Sequence, residues 1–305
     1  VITGNTAMLH LLTAADISPL AAAPFAVKER FGRTFSAGEL DLPCPADTPV
    51  YLPRCMSAFV GGDITTTLMA SGICRGTDTA LLADIGTNGE IALWHKGVLT
   101  CCSTAAGPAF EGANLSQGMQ GAPGAIDHAW VEKGGIAVHT IGDRAPMGIC
   151  GSGVADVLAC LLKLGKMDET GLLADDEDQW PLAEGVAFTQ MDVRQVQLGK
   201  SAVRAGMETL LHEAGLPATD VARLAIAGGF GSYLSLDSAP AIGLLPPELT
   251  SRCDVLGNAA LSGAAMLLRS LPLQEESCRM ADRAVTVNLA TNPFFMDQYI
   301  QQMMF

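Results

Sequence analysis

The sequence has 305 residues, is 49% hydrophobic and 16% charged, and carries a formal net charge of -14. A chain this long and apolar can bury a large core and make two ordinary domains or one large α/β unit. Its acidity excludes non-specific nucleic-acid binding, which needs a basic footprint to displace counterions, and it repels anionic lipid. No apolar run reaches membrane-spanning length and no secretory signal is present, so a cytoplasmic protein without membrane contact is expected. The nine Cys show neither C-x-x-C nor a cluster-binding spacing, and read as reduced, mostly buried thiols. The chain opens on Val1, inside an apolar stretch, which suggests a piece of something longer.

Residues 1–77 read as strand–helix–loop–strand–helix. Val1-Ile2 leads to Gly4-Asn5-Thr6 and an apolar helix through Met8, Leu9, Leu11 and Leu12. Gly38, Pro43, Pro45, Pro49 and Pro53 mark 35–54 as a connecting loop. Ala58-Phe59-Val60 reads as a strand, then Gly61-Gly62-Asp63 opens a helix through Ile64, Leu68 and Met69. From residue 78 a second unit starts with Ala80-Leu81-Leu82-Ala83-Asp84, a short apolar run suited to a buried strand. Two further strands, 91–94 and 98–102, bracket the turn His95-Lys96-Gly97. Residues 105–124 read as irregular backbone. Ser152 is positioned to cap a helix ending at Gly165, and a second helix runs from Val196 to Gly215. Arg223 to Ala227 reads as a strand before Gly228-Gly229-Phe230-Gly231, and Val255-Leu256 precedes Gly257-Asn258 and a last small-residue helix. Gly4-Asn5 echoes Gly257-Asn258, and Val60-Gly61-Gly62 echoes Ala227-Gly228-Gly229. This is either a duplicated α/β unit or a chance likeness of Gly-rich turns.

Four segments are candidates for chemistry. In Asp84-Ile85-Gly86-Thr87-Asn88-Gly89-Glu90, Gly86 and Gly89 let backbone approach an anion, while Thr87 and Asn88 offer donors. Asp84 would then hold Mg²⁺ through water or orient an attacking water. The same residues suit an ordinary Asp-Gly hairpin. Gly228 and Gly229 could pass backbone under an adenine or ribose, or simply turn the chain. Gly151 and Ser152 open a helix whose N-terminus could face phosphates, or which simply packs closely on a sheet. Asp63 could offer a second carboxylate to the cleft, or cap its helix. The five His lack metal-ligand spacing. Asp175-Asp176-Glu177-Asp178 reads as a solvated loop, with a docking patch as the alternative. No P-loop, dinucleotide fingerprint or nucleophile elbow is present.

Taken together, Leu82 to Leu93, Ala105 to Ala113, Gly148 to Gly153, Gln197 to Gly206, Ala227 to Tyr233, Ile242 to Pro246 and Gly257 to Leu261 resemble the C-terminal domain of the reductive activators of corrinoid proteins. Gly4 to Leu12 and Phe59 to Thr65 also match, and the motif order agrees along nearly the whole chain. The resemblance implies an α/β fold of the acetate and sugar kinase/Hsp70/actin superfamily. Two RNase H-like subdomains would flank an ATP cleft. Residues 1–77 would be part of the first, incomplete at its N-terminus, and 78–305 the second with a C-terminal extension. It implies ATP-driven reduction of cob(II)alamin to cob(I)alamin on a partner corrinoid protein. Asp84, Gly86, Thr87 and Asn88 would form a phosphate loop, and Gly228 and Gly229 the adenosine-side turn. The sequence departs from the family pattern in lacking cluster-binding Cys, so the iron–sulfur cluster and its ferredoxin-like module are expected outside this chain. A first phosphate loop is also expected upstream of Val1, and the fragment alone is expected to hydrolyse ATP weakly or not at all. The competing readings are a small-molecule kinase of the same superfamily and a non-catalytic docking or dimerisation module. The last leaves a homodimer open.

Overall fold

The computed structural model describes residues 1–174 and 177–305; Asp175 and Asp176 of the acidic run lie outside the described residues. Helix α1 (Thr6–Leu12) is capped by Asn5, whose side chain accepts from the Met8 amide. Strands β1 (Arg33–Ser36) and β2 (Pro49–Leu52) form an antiparallel hairpin, where the sequence suggested only a loop. The prolines misled because Pro43 and Pro45 lie in the link between the strands, while Pro49 begins β2, a position that asks little of a backbone donor. Residues 1–3 are not a strand either, although the Ile2 amide donates to Tyr51 O. Ala58-Phe59-Val60 is a turn rather than a strand, closed by the Met56 and Ser57 amides on Val60 O. Helix α2 (Gly62–Ser71) follows, and its C-terminus is closed by Gly72 at φ 65°.

The main sheet begins with β3 (Ala80–Ile85), β4 (Gly89–His95) and β5 (Val98–Thr104), an antiparallel meander. Lys96 and Gly97, both at positive φ, make the tight turn read from the sequence. An irregular stretch with one 3₁₀ turn (Pro108–Glu111) leads to β6 (Ala125–Glu132), β7 (Gly135–Thr140) and β8 (Gly148–Ile149), a small separate sheet. Helix α3 (Gly151–Lys163) has Cys150 at its N-cap with no side-chain cap bond. Ser152 therefore does not cap it; its Oγ donates to Asp127 O. After the hairpin β9 (Gln179–Ala183) and β10 (Val186–Thr189) comes α4 (Gln190–Glu213). It starts two turns before its apolar stripe because Thr189 and Asp192 form a capping box.

Strand β11 (Arg223–Ala227) pairs parallel with β3. The short helix α5 (Ser238–Ala241) precedes β12 (Cys253–Gly257), which is parallel to β11. Then come α6 (Ala259–Leu268), α7 (Leu271–Arg283), β13 (Val285–Thr286) and α8 (Pro293–Gln301). The central sheet thus runs β12-β11-β3-β4-β5-β13. A meander with parallel strands added beside its first strand is the RNase H-like arrangement. Alternation along β3 sends Leu81, Ala83 and Ile85 into the main core with α3 and α4. It sends Leu82 to the other face, against Ile64 and Leu68 of α2. Asp84 shares that second face.

The sequence echo has a geometric counterpart. Asn258 caps α6 as Asn5 caps α1. The Asp63 amide donates to Gly4 O, and the Gly228 amide to Gly257 O. Unlike Gly61-Gly62, however, Gly228-Gly229 opens a short 3₁₀ turn, Gly231–Tyr233, rather than an α-helix. Helices α2 and α6 cross so closely that a Cβ on Gly263 would overlap Thr66 O.

Candidate functional site at the carboxyl end of strand β3

Strand β3 ends at Ile85, and the loop Gly86-Thr87-Asn88 returns the chain into β4. Asp84 lies opposite Glu90, and Glu90 opposite Ser103 of β5, so the three share one face. Thr67 of α2 donates to Asp84 Oδ2 at 3.1 Å, and Ser103 Oγ donates to Glu90 Oε1 at 3.4 Å. Asp63, in the first turn of α2, is not the cap; Gly61 holds that position. Burial raises the Asp84 carboxyl above the usual carboxylate range, against the Thr67 hydrogen bond. Burial, reinforced by the Asp84 charge, pushes Asp63 up to about 6. Burial and the charges of Asp63 and Asp84 push Glu90 up to about 8. Three acids thus share a poorly solvated pocket in which full ionisation is opposed.

The glycines divide into two kinds. Gly228 (φ 96°) sits against Asp84: a Cβ there would overlap Ile85 O and stand 2.9 Å from Asp84 Oδ1. Gly229 is exposed and has open space around it. Gly86, Thr87 and Asn88 reach the surface together. Gly89 and Gly151 are buried close approaches instead. A Cβ on Gly89 would press on Thr104 Oγ1 and Val203, and one on Gly151 would overlap Phe110 O. Ser152 is likewise buried. The structure therefore brings together Asp63, Asp84, Gly228 and the 86–88 loop, and sets Gly89, Gly151 and Ser152 into the packing behind them.

Reading the sequence gave Glu90 no role, although it closes the candidate segment 84–90, and missed Thr67 and Glu111 as members of the site. Glu90 was available to inspection: a hairpin closing between Ile85 and Gly89 puts residues 84 and 90 opposite each other. Glu111 accepts from the Thr87 amide at 2.7 Å and from Thr87 Oγ1 at 2.9 Å. That contact spans 24 residues and has no local signal. It shows the loop holding an anionic oxygen pair with one backbone and one hydroxyl donor, the chemistry a phosphate requires. Beside the loop a cavity of about 580 Å³ is lined by Asn88, Ser103, Phe25, Phe59 and Phe295. Among the described residues, no three His, Cys, Asp or Glu side chains converge to hold a metal ion directly.

Residues 78–305 match the family model described as the C-terminal domain of RACo, the ASKHA domain, and residues 1–76 match that of the RACo middle region. The chain belongs to the RACo family. Over 99% of its length this RACo-family chain is 34% identical to the corrinoid activation enzyme RamQ of Eubacterium limosum, covering 55% of that protein. Over 98% of its length it is 24% identical to the [Co(II) methylated amine-specific corrinoid protein] reductase of Methanosarcina barkeri, covering 61% of that protein. A solved structure of a reductive activator for corrinoid, iron-sulfur protein superimposes with a TM-score of 0.91 at 31% identity, over 99% of this chain and 51% of the other. The chain spans little more than half the length of these RACo-family relatives. No helix of the described residues is long and apolar enough to cross a membrane.

Proposed function

We propose that this chain forms the ATP-binding part of an ATP-dependent reductive activator that returns the cob(II)alamin of a corrinoid protein to cob(I)alamin. The observation that carries the reading is the anion-holding loop at Thr87 beside the buried acids Asp63, Asp84 and Glu90, in a chain of this family. Gly86, Thr87 and Asn88 would grip the terminal phosphates by successive donors. Gly228 and Gly229 would let the nucleotide pass close to backbone, and the α3 N-terminus at Gly151-Ser152 would add its positive field from behind. Mg²⁺, which would neutralise charge on the phosphates, suits an acidic, oxygen-only donor set. Lacking a direct three-ligand cluster, the site would hold it through water on Asp84, as such ions are commonly held. Asp63 and Glu90 would keep the pocket acidic and orient water.

Residues 1–77 would complete one wall of the cleft as a partial first subdomain, and 78–305 would form the second. The electron would come from a ferredoxin-like module carrying an iron–sulfur cluster, the reaction would take place in the cytoplasm, and the working unit would be a homodimer. The test is cob(II)alamin reduction on a corrinoid protein by the full-length protein with a low-potential donor, with and without ATP. Strict ATP dependence that Asp84→Ala abolishes is expected. Reduction independent of ATP and indifferent to Asp84→Ala would overturn the proposal, and ADP release that depends on an added metabolite would point to a kinase.

A further inference from the structure

The 3₁₀ turn Pro108–Glu111 is tied to three parts of the site at once. At one end, Glu111 takes both donors of Thr87, while the Gly107 amide donates to Thr87 O at 2.8 Å. In the middle, Phe110 is buried and stacks on Phe230 of the Gly228-Gly229-Phe230 turn, with ring centroids 4.6 Å apart. Behind it, Gly151 at the start of α3 abuts Phe110 O. Glu111 itself is exposed. Its carboxylate spans the two Thr87 donors as two phosphate oxygens would, and it reaches so near the loop that a Cβ on Gly86 would lie 3.1 Å from Glu111 Oε1. One amide and one hydroxyl cannot serve a carboxylate and a phosphate at the same time.

We propose that Glu111 is a built-in placeholder for phosphate, competing for Thr87, and that the terminal phosphates of a nucleotide displace it. The inference rests on the reading of 86–88 as a phosphate loop. Displacement has a mechanical consequence. The turn that carries Glu111 also carries Phe110, so release at Thr87 loosens the stack on Phe230. Arrival of phosphate at one end of the cleft is thereby transmitted to the turn that receives the adenosine at the other. This requires a two-position element, and we assign that role to the short turn bounded by Gly107 (φ 76°) and Gly112 (φ 74°).

The experiment measures ATP, ADP and AMP affinity by calorimetry on the full-length protein, wild type and Glu111→Gln. The isosteric variant removes the charge and the second acceptor. We expect about tenfold tighter ATP binding, the gain when a placeholder holding about nine-tenths of the molecules closed is removed. AMP, which has no β- or γ-phosphate to compete with Glu111 for Thr87, should change in affinity much less than ATP between the two. Unchanged or weaker ATP binding by Glu111→Gln, with wild type binding normally, overturns the placeholder and leaves the phosphate-loop reading standing. Failure of wild type and variant alike to bind either ATP or ADP overturns both. A second measurement needs no variant: ATP, but not AMP, should speed amide exchange over residues 107–112 of the wild type. Slower exchange there on ATP binding would overturn the proposal.

Discussion

Asp84 and Glu90 face each other across the β3–β4 pair, two carboxyl groups in register on one face of a buried sheet. Burial opposes ionisation of Glu90, and the charges of Asp63 and of Asp84 directly opposite add to the cost. The folded protein therefore retains a proton on Glu90, whose carboxyl rises from the ordinary 4.5 to about 8. A raised acid means that the folded state binds more protons than the unfolded chain between those two values, so stability falls as pH climbs through that window. Glu90→Gln removes the titration. The variant should gain on wild type from pH 5 to pH 8, by at most about 5 kcal/mol and realistically a few. Denaturant unfolding at both pH values checks this. An equal difference at pH 5 and pH 8 would show that Glu90 does not carry the proton.

Gly228 and Gly229 are neighbours with opposite expectations. Gly228 is at φ 96° with the Ile85 carbonyl and Asp84 in the space a side chain would need, whereas Gly229 faces open space. Gly228→Ala combines a left-handed backbone with overlap and should cost about 2–4 kcal/mol. Gly229→Ala should leave the melting temperature within about 1 °C, since open surface substitutions change stability little, while weakening ATP binding if backbone approach there serves the nucleotide. Parallel melting curves and nucleotide titrations separate the two. Equal destabilisation would contradict the assigned geometry.

The crossing of α2 and α6 gives a third case. Gly263 lies where a Cβ would run into Thr66 O, and both helices are rich in small residues for that reason. Gly263→Ala should force the helices apart and cost about 1–3 kcal/mol, the usual range for overpacking. Because Thr67, one residue along, holds Asp84, the same change should also weaken ATP-dependent activity. A variant with wild-type stability would mean that the crossing is loose.

How much of this was legible depends on whether the deciding contact was local. Strand 80–84 could be read because an unbroken apolar run ends at Asp84, and strand 223–227 because it ends at a Gly pair. The helix ends at Gly165 and Gly215 were readable too, since both glycines adopt positive φ there. The β1–β2 hairpin was hidden because its prolines sit where a two-stranded ribbon tolerates them. The start of α4 was hidden because Thr189 and Asp192 cap it ahead of the apolar stripe. In the site, the loop 84–90 announced itself by composition, but the burial of Gly89 and Gly151 did not. Backbone close approach to an anion and close approach to a helix call for the same residue. Glu111 and Thr67 enter only through tertiary contacts, which no spacing encodes.

Lys200 supplies the last prediction. It lies on α4 with its ammonium out of solvent, donating to Gln302 O and Met304 O beneath the Phe305 ring. Burial, with the nearby Arg204 charge, pushes it down from 10.5 to about 7. For a base with a lowered value the folded state binds fewer protons than the unfolded chain across that window. Stability contributed by Lys200 is therefore least below pH 7 and rises as pH climbs towards 10.5. Lys200→Met keeps the length of the side chain without the charge or the donors. Wild type should gain on the variant by a few kcal/mol between pH 7 and pH 10, and below pH 7 the difference should be flat. This slope is opposite in sign to that of Glu90, so the two groups can be told apart by unfolding each variant at pH 6, 8 and 10. The variant should also release residues 302–305, seen as faster exchange of the Phe305 amide, which donates to Glu169 O. A pH-independent difference with the tail still protected would mean that the lysine stays charged and the segment is held by Gln197 and Ser201, which donate to Met303 O and Gln302 O.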